Sequence, residues 1–176
     1  MWDIDNREET FLILVDGVQF CINEPRTTPS ARWCSYKFKS AGLAYEIAVA
    51  IHDSKVVWIN GPYQAADGDR EIYYSKLKKK MPQGKKAVVD RGYRGTELGD
   101  QTLSYRNSLD TDAVKAFKRR VRARHENFNA RVKAFKIMDS AFRAKTDRMA
   151  KHKAAFEAVC VLCQYDMENG HPLFDV

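Results

Sequence analysis

The 176-residue chain lacks any apolar run long enough to cross a membrane. Its longest apolar runs, residues 11–15 and 159–163, fall far short of the roughly 20 residues that a membrane span needs. The amino-terminal segment, residues 1–5, is acidic and lacks the basic and apolar regions of a signal peptide. We therefore expect an intracellular protein without a membrane partner, nuclear in a eukaryote or cytoplasmic in a bacterium.

Cysteine is scarce, and its spacing does not complete a zinc site. Cys160 and Cys163 form a Cys-x2-Cys pair, but a structural zinc ion needs four ligands at recognisable spacing. Cys21, Cys34 or His171 would join that pair only through contacts that the sequence does not predict. Reduced thiols are the expectation for an intracellular chain.

The chain also lacks internal repeats and low-complexity linkers, and it has only 5 Pro. A composition of 44% hydrophobic and 30% charged residues is that of a soluble globular protein. The length suffices for one domain with a real core and is too short for two comfortable ones. We therefore expect residues 1–176 to form a single domain.

Positive charge is concentrated in one third of the chain. Residues 115–153 hold 14 Lys and Arg against 3 acidic residues, whereas the rest of the chain holds 16 basic and 20 acidic residues. A basic block on an otherwise acidic protein is typical of a surface that binds a polyanion such as nucleic acid. A solvated charged helix is the alternative interpretation.

Apolar runs bounded by turn residues predict a strand-rich first half. The predicted strands are residues 11–15, 18–22, 45–51, 56–59 and 87–90, with a loop over 25–35 and a turn at 60–62 that ends the fourth strand. A helix is predicted over 69–80 and a loop over 91–109. A long helix then begins near Asp110 or Asp112, either of which could cap it, and a final helix covers 140–162. This order predicts an α/β or α+β domain.

Two predicted strands end in an aspartate close to a glycine, as Val15-Asp16-Gly17 and as Val89-Asp90-Arg91-Gly92. Ligands gather at the carboxyl ends of strands in open sheets that are built on parallel strands, so both carboxylates are candidates for one site. The alternative is that each aspartate opens a turn before glycine, which is frequent.

The long predicted helix has one apolar face and one cationic face. Its apolar stripe lies opposite Glu126 on a helical wheel at about 100° per residue. The stripe consists of Phe117, Val121, Phe128, Val132 and Phe135. Within about 60° of Glu126 lie Arg119, Arg122, Asn129 and Lys133. Glu126 is thus a single carboxylate among cations and an amide, and the alternative to a functional role is a surface ion pair with Arg122.

Asp16, Asp90 and Glu126, with 35 residues between the last two, resemble the DDE triad of transposases that have a ribonuclease H-like fold. The resemblance covers residues 10–140 approximately and is carried by four local strings. Residues 15–17, 58–62 and 90–95 resemble the first-Asp motif, the mid-core strand and turn, and the second-Asp motif of the Harbinger/IS5-like group, and residues 124–133 resemble the helix that carries the Glu.

The related IS4 group has a Tyr-x2-Arg-x3-Glu-x6-Lys signature. Arg122, Glu126 and Lys133 match its last three members at the same spacing, while Arg119 occupies the Tyr position.

The resemblance implies a ribonuclease H-like mixed sheet flanked by helices, with a long C-terminal helical part. It also implies cleavage of DNA phosphodiesters at transposon ends, followed by attack of the freed 3′-OH on target DNA. Asp16, Asp90 and Glu126 would hold two Mg²⁺ or Mn²⁺ ions, hard cations that prefer carboxylate oxygen. Arg122 and Lys133, beside Arg119 and Asn129, would contact DNA phosphates without reading base sequence.

Transposases of this kind carry an N-terminal helix-turn-helix region or rely on a separate DNA-binding partner protein, whereas Asp16 lies near the start of this sequence. We therefore expect the sequence-reading region to be absent, and DNA binding to be weak and steeply salt-dependent. A homo-oligomer is expected from the family, because transposition joins two ends. The alternative function is a transposase-derived, catalytically inactive module that binds DNA or protein without cutting.

Other titratable residues have structural interpretations. Asp53, Asp67 and Asp69 lie in loop-like or helix-capping contexts, so we assign them structural roles. His125 lies on the flank of the long helix, where most histidines are surface residues. Asn129, one turn after Glu126, is a better candidate for ordering the site.

Overall fold

The computed structural model describes residues 11–25, 30–93, 102–104, 108–144 and 147–176. Part of the second-Asp motif, residues 94–95, lies outside them, as do parts of the loops predicted over 25–35 and 91–109. The strands of the described ranges are β1 (Phe11–Cys21), β2 (Cys34–Ser35), β3 (Ser40–Ala50), β4 (Val56–Gln64), β5 (Lys86–Val88) and β6 (Leu103–Ser104). Their α-helices are α1 (Asp69–Ser75), α2 (Asp112–Ala134), α3 (Lys136–Asp139) and α4 (Arg148–Glu168).

The strands form one mixed sheet in the order β2-β3-β1-β5-β6, with β4 paired to β3. The β1–β3 and β3–β4 pairs are antiparallel, whereas the β1–β5 and β5–β6 pairs are parallel. β1 is therefore the strand at which the antiparallel half of the sheet meets the parallel half.

Helices cover both faces of the sheet, because the side chains of each strand alternate between two apolar faces. On one face, Ile13 and Val15 pack with Tyr73 of α1. On the other face, Leu14 packs with Phe117 of α2, and α4 joins α2 further along the sheet. This arrangement confirms the predicted ribonuclease H-like α/β fold with helices on both sides.

β1 does not end at Asp16, as the sequence predicted, but continues to Cys21 as one strand. The reason is β3, which pairs with β1 over the whole stretch from Ile13 to Cys21. Asp16 lies opposite Ile47 and Gly17 lies opposite Glu46. Pairing with a distant strand thus overrides the local tendency of an Asp-Gly pair to form a turn.

β4 likewise continues past residues 60–62, where the sequence predicted a stop. The strand lies at an edge of the described sheet, and its pairing with β3 is irregular between Asn60 and Tyr63, the kind of position at which a strand tolerates proline. The Gly61–Pro62 peptide within it is cis.

The predicted helices exist, but their ends differ. α1 ends at Ser75, and a 3-10 turn continues over Leu77–Lys80. α2 is capped by Thr111, whose Oγ1 accepts a hydrogen bond from the Val114 N–H at 3.3 Å, so neither predicted aspartate is the cap. Because hydroxyl and carboxylate caps are both favourable, the local sequence does not decide between them.

The last helix begins at Arg148 and ends at Glu168, rather than spanning residues 140–162. Phe142 explains the later start, because its N–H donates to the Cys21 carbonyl at 3.0 Å and it forms a bridge with Ile22. The chain before α4 therefore lies alongside the end of β1 and is not helical there.

No helix in the described part of the chain is both long and apolar enough to span a membrane. All four cysteines are free thiols, and Cys160 and Cys163 are buried. No described group of three or more His, Cys, Asp or Glu side chains is arranged to hold a metal ion.

Candidate active site

Asp16 and Asp90 occupy matching positions next to the parallel β1–β5 pair. The register pairs Leu14 with Val88, and each aspartate follows two residues later along the chain. Side-chain alternation puts Asp16 on the same face as Leu14, which is the face that α2 covers. The structure therefore brings these two predicted site residues together.

Each aspartate accepts a hydrogen bond from a nearby glycine N–H. Gly17 donates to Asp16 Oδ1 at 2.9 Å, and Gly92 donates to Asp90 Oδ1 at 2.5 Å. For Asp90, this is the side-chain turn that formed the alternative interpretation of its motif. For Asp16, the backbone stays extended, so the turn alternative does not hold there.

The electrostatic surroundings of Asp16 disfavour its charged form. Burial, followed by the negative charges of Asp90 and Asp69, raises the pKa of Asp16 to about 6. The Gly17 N–H and the Arg122 guanidinium act in the opposite direction on this pKa, without cancelling the increase. Asp16 is thus a half-buried carboxylate in a concentration of negative charge, which is a common arrangement at functional sites.

In the folded chain, the Asp69 carboxylate lies close to Gly17 and Gly92, the glycines of the two aspartate motifs. From the sequence alone, Asp69 was expected to have a structural role. A Cβ atom on Gly17 would be 2.1 Å from Asp69 Oδ1, and a Cβ atom on Gly92 would be 3.7 Å from Asp69 Oδ2. The carboxylate at the start of α1 therefore packs against the glycine that follows Asp16. A side chain at residue 17 would therefore force the Asp69 carboxylate to move.

His125 is buried on the α2 side of Asp16, so its predicted surface position is wrong. Its side chain is only 1% exposed, and its Nδ1 lies 3.8 Å from Asp16 Oδ2. Nε2 donates to the Ile47 carbonyl at 3.3 Å, and Nδ1 accepts from Asn129 Nδ2 at 3.1 Å. Burial lowers the pKa of His125 to about 4, so the ring is neutral at physiological pH.

Glu126 faces a cavity of about 480 Å³ that is also lined by Asp90. Arg119 and Arg122 line the same cavity. Glu126 forms no ion pair with Arg122 or with any other described residue, so the surface ion pair that was the alternative for this residue is not formed. Glu126 and Asp90 thus line the same cavity.

Lys133 lies in the last turn of α2, near Asp16. Burial and the neighbouring Lys37 lower the pKa of Lys133, while the negative charge of Asp16 raises it. Asn129 bonds to His125 and leaves its own Oδ1 buried without a partner among the described residues. All four polar residues predicted around Glu126 therefore lie along the α2 side of the site.

A second layer of polar groups lies on the α1 face of the sheet. Glu46 accepts a hydrogen bond from Trp58 Nε1 at 2.7 Å, and burial raises the pKa of Glu46 to about 7. Tyr93 is 1% exposed, and its hydroxyl has no partner among the described residues. Burial raises the pKa of Tyr93, and the negative charges of Asp69 and Glu46 raise it further.

The side-chain oxygens near Asp16 are of the kind that a hard divalent cation prefers, but they do not form a complete metal site. Carboxylate oxygen is the preferred ligand of Mg²⁺ and Mn²⁺, and a cation beside Asp16 would offset the repulsion from Asp90. The unpartnered Asn129 Oδ1 is a further oxygen on this side of the sheet. Among the described residues, however, no three carboxylates lie in position to hold one ion.

Sequence reasoning missed three residues of this neighbourhood, and two of them had a local signal. Glu46 is the single charged residue in a strand that is otherwise apolar, which indicates a buried carboxylate. His125 falls only about 20° beyond the apolar stripe on the helical wheel, which favours burial. Asp69 had no such signal, because its contact with Gly17 depends on how α1 docks on the sheet.

The fold and the neighbouring carboxylates of Asp16, Asp69 and Asp90 define a ribonuclease H-like α/β protein with a carboxylate-rich candidate active site. The family model described as DDE superfamily endonuclease matches residues 15–164. The chain therefore belongs to the DDE superfamily endonucleases. No curated protein and no solved structure gives a significant match to the chain.

Proposed function

We propose that this protein is a divalent-metal-dependent DNA endonuclease and strand transferase that acts at transposon ends. The observation that carries this proposal is the meeting of Asp16 and Asp90 beside the parallel strands, with the charge of Asp90 acting on Asp16. Membership of the endonuclease family supports phosphodiester cleavage as the reaction.

Asp16, Asp90 and Glu126 would hold the metal ions in this proposal. Two Mg²⁺ or Mn²⁺ ions would supply Lewis-acid activation of the attacking oxygen and stabilisation of the leaving oxygen. Asp16 is fixed within β1, while Glu126 reaches the cavity from an exposed position on α2. The raised pKa of Asp16 fits this role, because a bound cation favours the charged carboxylate.

The remaining residues of the α2 face would position DNA. Arg119 and Arg122 line the cavity beside Asp90 and Glu126, where they would bind phosphate oxygens through charge-assisted hydrogen bonds. Lys133 would add a positive charge on the Asp16 side. Asn129 would act through His125, which it holds in the tautomer that donates to the backbone of β3.

A plasmid-nicking assay tests the proposal. The substrate is supercoiled plasmid carrying the terminal repeats of the element, incubated with Mg²⁺ or Mn²⁺. Wild-type protein should convert it to open circles, and Glu126→Gln should reduce the rate by at least 100-fold, because a metal-binding carboxylate is lost. Glu168→Gln, at the exposed end of α4, should retain the wild-type rate. Equal cleavage by wild type and Glu126→Gln would show that the proposed site is wrong.

One observation favours a second candidate function, a transposase-derived module that binds DNA or a partner protein without cutting. The described carboxylates do not form a group of three that is ready to hold an ion. This candidate predicts retained DNA binding in the absence of nicking under every metal tested. The nicking assay uses this chain alone, whereas complete transposition joins two ends and would involve a homo-oligomer together with a helix-turn-helix region or a separate DNA-binding partner.

A further inference from the structure

A second basic segment lies outside the block at residues 115–153. Between Glu71 and Asp90 the chain has six lysines and no acidic residue. We call this segment, residues 76–86, the lysine surface; its lysines are Lys76, Lys78, Lys79, Lys80, Lys85 and Lys86. It comprises the 3-10 turn after α1, the loop that follows and the first residue of β5.

Aromatic rings and an amide hold several of these cations in place. Lys78 Nζ lies 4.2 Å from the centre of the Tyr74 ring, and Lys80 Nζ lies 5.3 Å from the centre of the Trp58 ring. Lys76 Nζ donates to the side-chain oxygen of Asn60 at 3.1 Å. Such contacts restrict long side chains and so reduce the entropy lost when the cations bind a ligand.

Along the chain, the lysine surface is flanked on both sides by elements that carry the carboxylates of the candidate site. α1, which precedes it, begins at Asp69, whose carboxylate packs against Gly17. β5, which follows it, ends at Val88, two residues before Asp90. Leu77 packs on the face of the sheet that α1 covers, opposite to the face covered by α2. The lysines of the 3-10 turn and the α2 cations therefore flank the carboxylates from opposite sides of the sheet, whereas Lys86 lies on the α2 side, near Lys118.

The chemistry of the segment favours a polyphosphate backbone over other partners. Receptors that read short basic peptides bind extended chain, whereas Leu77 is 5% exposed and anchors a folded turn. Stable attachment to a membrane takes a second anchor beside a basic patch, and residues 76–86 expose no large hydrophobic side chain that could supply it. DNA phosphates spaced along a duplex match a row of cations on a folded surface.

We propose that the lysine surface is a second contact surface for the DNA backbone, separate from the α2 cations. A duplex that reaches the carboxylates would then be held from both faces of the sheet. The choice of DNA rests on the proposed function, but the contact does not require cleavage, so binding and nicking can be tested separately.

The experiment measures binding of a fluorescent 30-base-pair duplex in EDTA by anisotropy, over a range of KCl concentrations. The double variant Lys79→Gln and Lys80→Gln removes two exposed cations of the lysine surface. We expect the slope of log affinity against log salt to become shallower by about 1 to 2, since each lost phosphate contact contributes about 0.9. Lys79→Arg with Lys80→Arg should preserve the slope, because both charges remain.

The matched control is Lys39→Gln with Lys55→Gln, which removes two exposed lysines from the β2–β3 and β3–β4 connections, outside both basic segments. It should leave the slope within error of the wild-type value. An unchanged slope in the lysine-surface variant would overturn the proposal and mark the segment as a solvated face. Equal losses in both double variants would also overturn it, since only net charge would then matter. A protein that binds in this way but never nicks would leave this proposal standing and the endonuclease proposal refuted.

Discussion

Asp16 is a residue whose environment works against the stability of the fold. Its carboxylate is 34% exposed and lies near two other aspartates, and burial is the largest cause of its raised pKa. An ionised group in such a position persists when a site needs it for binding rather than for folding. The difference is measurable, because a neutral side chain of the same shape removes the unfavourable charge.

Asp16→Asn should stabilise the metal-free protein at neutral pH. The folded protein keeps the Asp16 proton up to a pH of about 6, whereas the unfolded chain loses it near 3.8, so ionisation of Asp16 lowers stability as pH rises between these values. The variant should therefore exceed wild type by on the order of 1 kcal/mol at pH 7.5, after allowance for partial exposure, and match it at pH 4. Urea unfolding in EDTA at both pH values measures this difference.

The control for that measurement is Asp53→Asn, which changes an exposed aspartate in the β3–β4 turn. Its difference from wild type should be small at both pH values. A stability gain for Asp16→Asn that is the same at pH 4 and pH 7.5 would mean that the charge of Asp16 is not its cause.

Gly17 and Asp69 form a second pair at the residue scale. A methyl group at position 17 would overlap Asp69 Oδ1, so Gly17→Ala should destabilise the protein by about 1 to 3 kcal/mol. In an Asp69→Ala background the overlap disappears, and the same change should be nearly neutral. A double-mutant cycle by chemical unfolding measures this coupling. Additive effects of the two changes would contradict the contact.

At the scale of elements, α2 carries most of the candidate site on one helix. Its apolar stripe packs on the sheet and on α4, while Arg119, Arg122 and Glu126 are exposed on the other side. The start of this helix sets the position of its first two turns, which lead into the cavity beside Asp90. The cap at Thr111 is therefore a point at which the site can be disturbed from a distance.

Thr111→Ala should reduce stability by about 1 kcal/mol, because the Val114 N–H loses its side-chain acceptor. Thr111→Ser keeps a hydroxyl at the same place and should cost only a few tenths of a kcal/mol. Thermal unfolding followed by circular dichroism measures both. Equal losses in the two variants would show that packing of the threonine methyl group, rather than capping, is responsible.

The elements also show where local sequence was sufficient. The apolar stripe of α2 followed from helical periodicity, and Phe117, Val121, Phe128 and Val132 are buried as predicted. Phe135, the last member, is partly buried against the same core. The continuation of β1 through Asp16 could not be predicted in this way, since it depends on pairing with β3 about 30 residues later. The late start of α4 likewise depends on a contact between residues far apart in sequence, here Phe142 and the end of β1.

For the whole molecule, a divalent cation should act as a stabilising ligand. Binding of the cation at Asp16, Asp90 and Glu126 would favour the native state by about 2.7 kcal/mol when the cation concentration is 100 times the dissociation constant. In a chain of this size, that corresponds to a rise in Tm of about 5 to 10 °C with Mn²⁺. Asp16→Asn should lose most of this rise, and Glu168→Gln should keep it. A rise that is the same in all three proteins would place the cation elsewhere.

The continuation of β1 through Asp16 has a consequence for how the three carboxylates would come together. β3 holds the backbone of Asp16 in place, and the Gly17 N–H holds one oxygen of its carboxylate, so this short side chain has little conformational freedom left to lose. Glu126 is exposed on α2 and has a longer side chain, whose ordering costs up to about 2 kcal/mol. The affinity of the site for a cation would then be limited less by the number of its oxygens than by the entropy of the one glutamate that must still be immobilised.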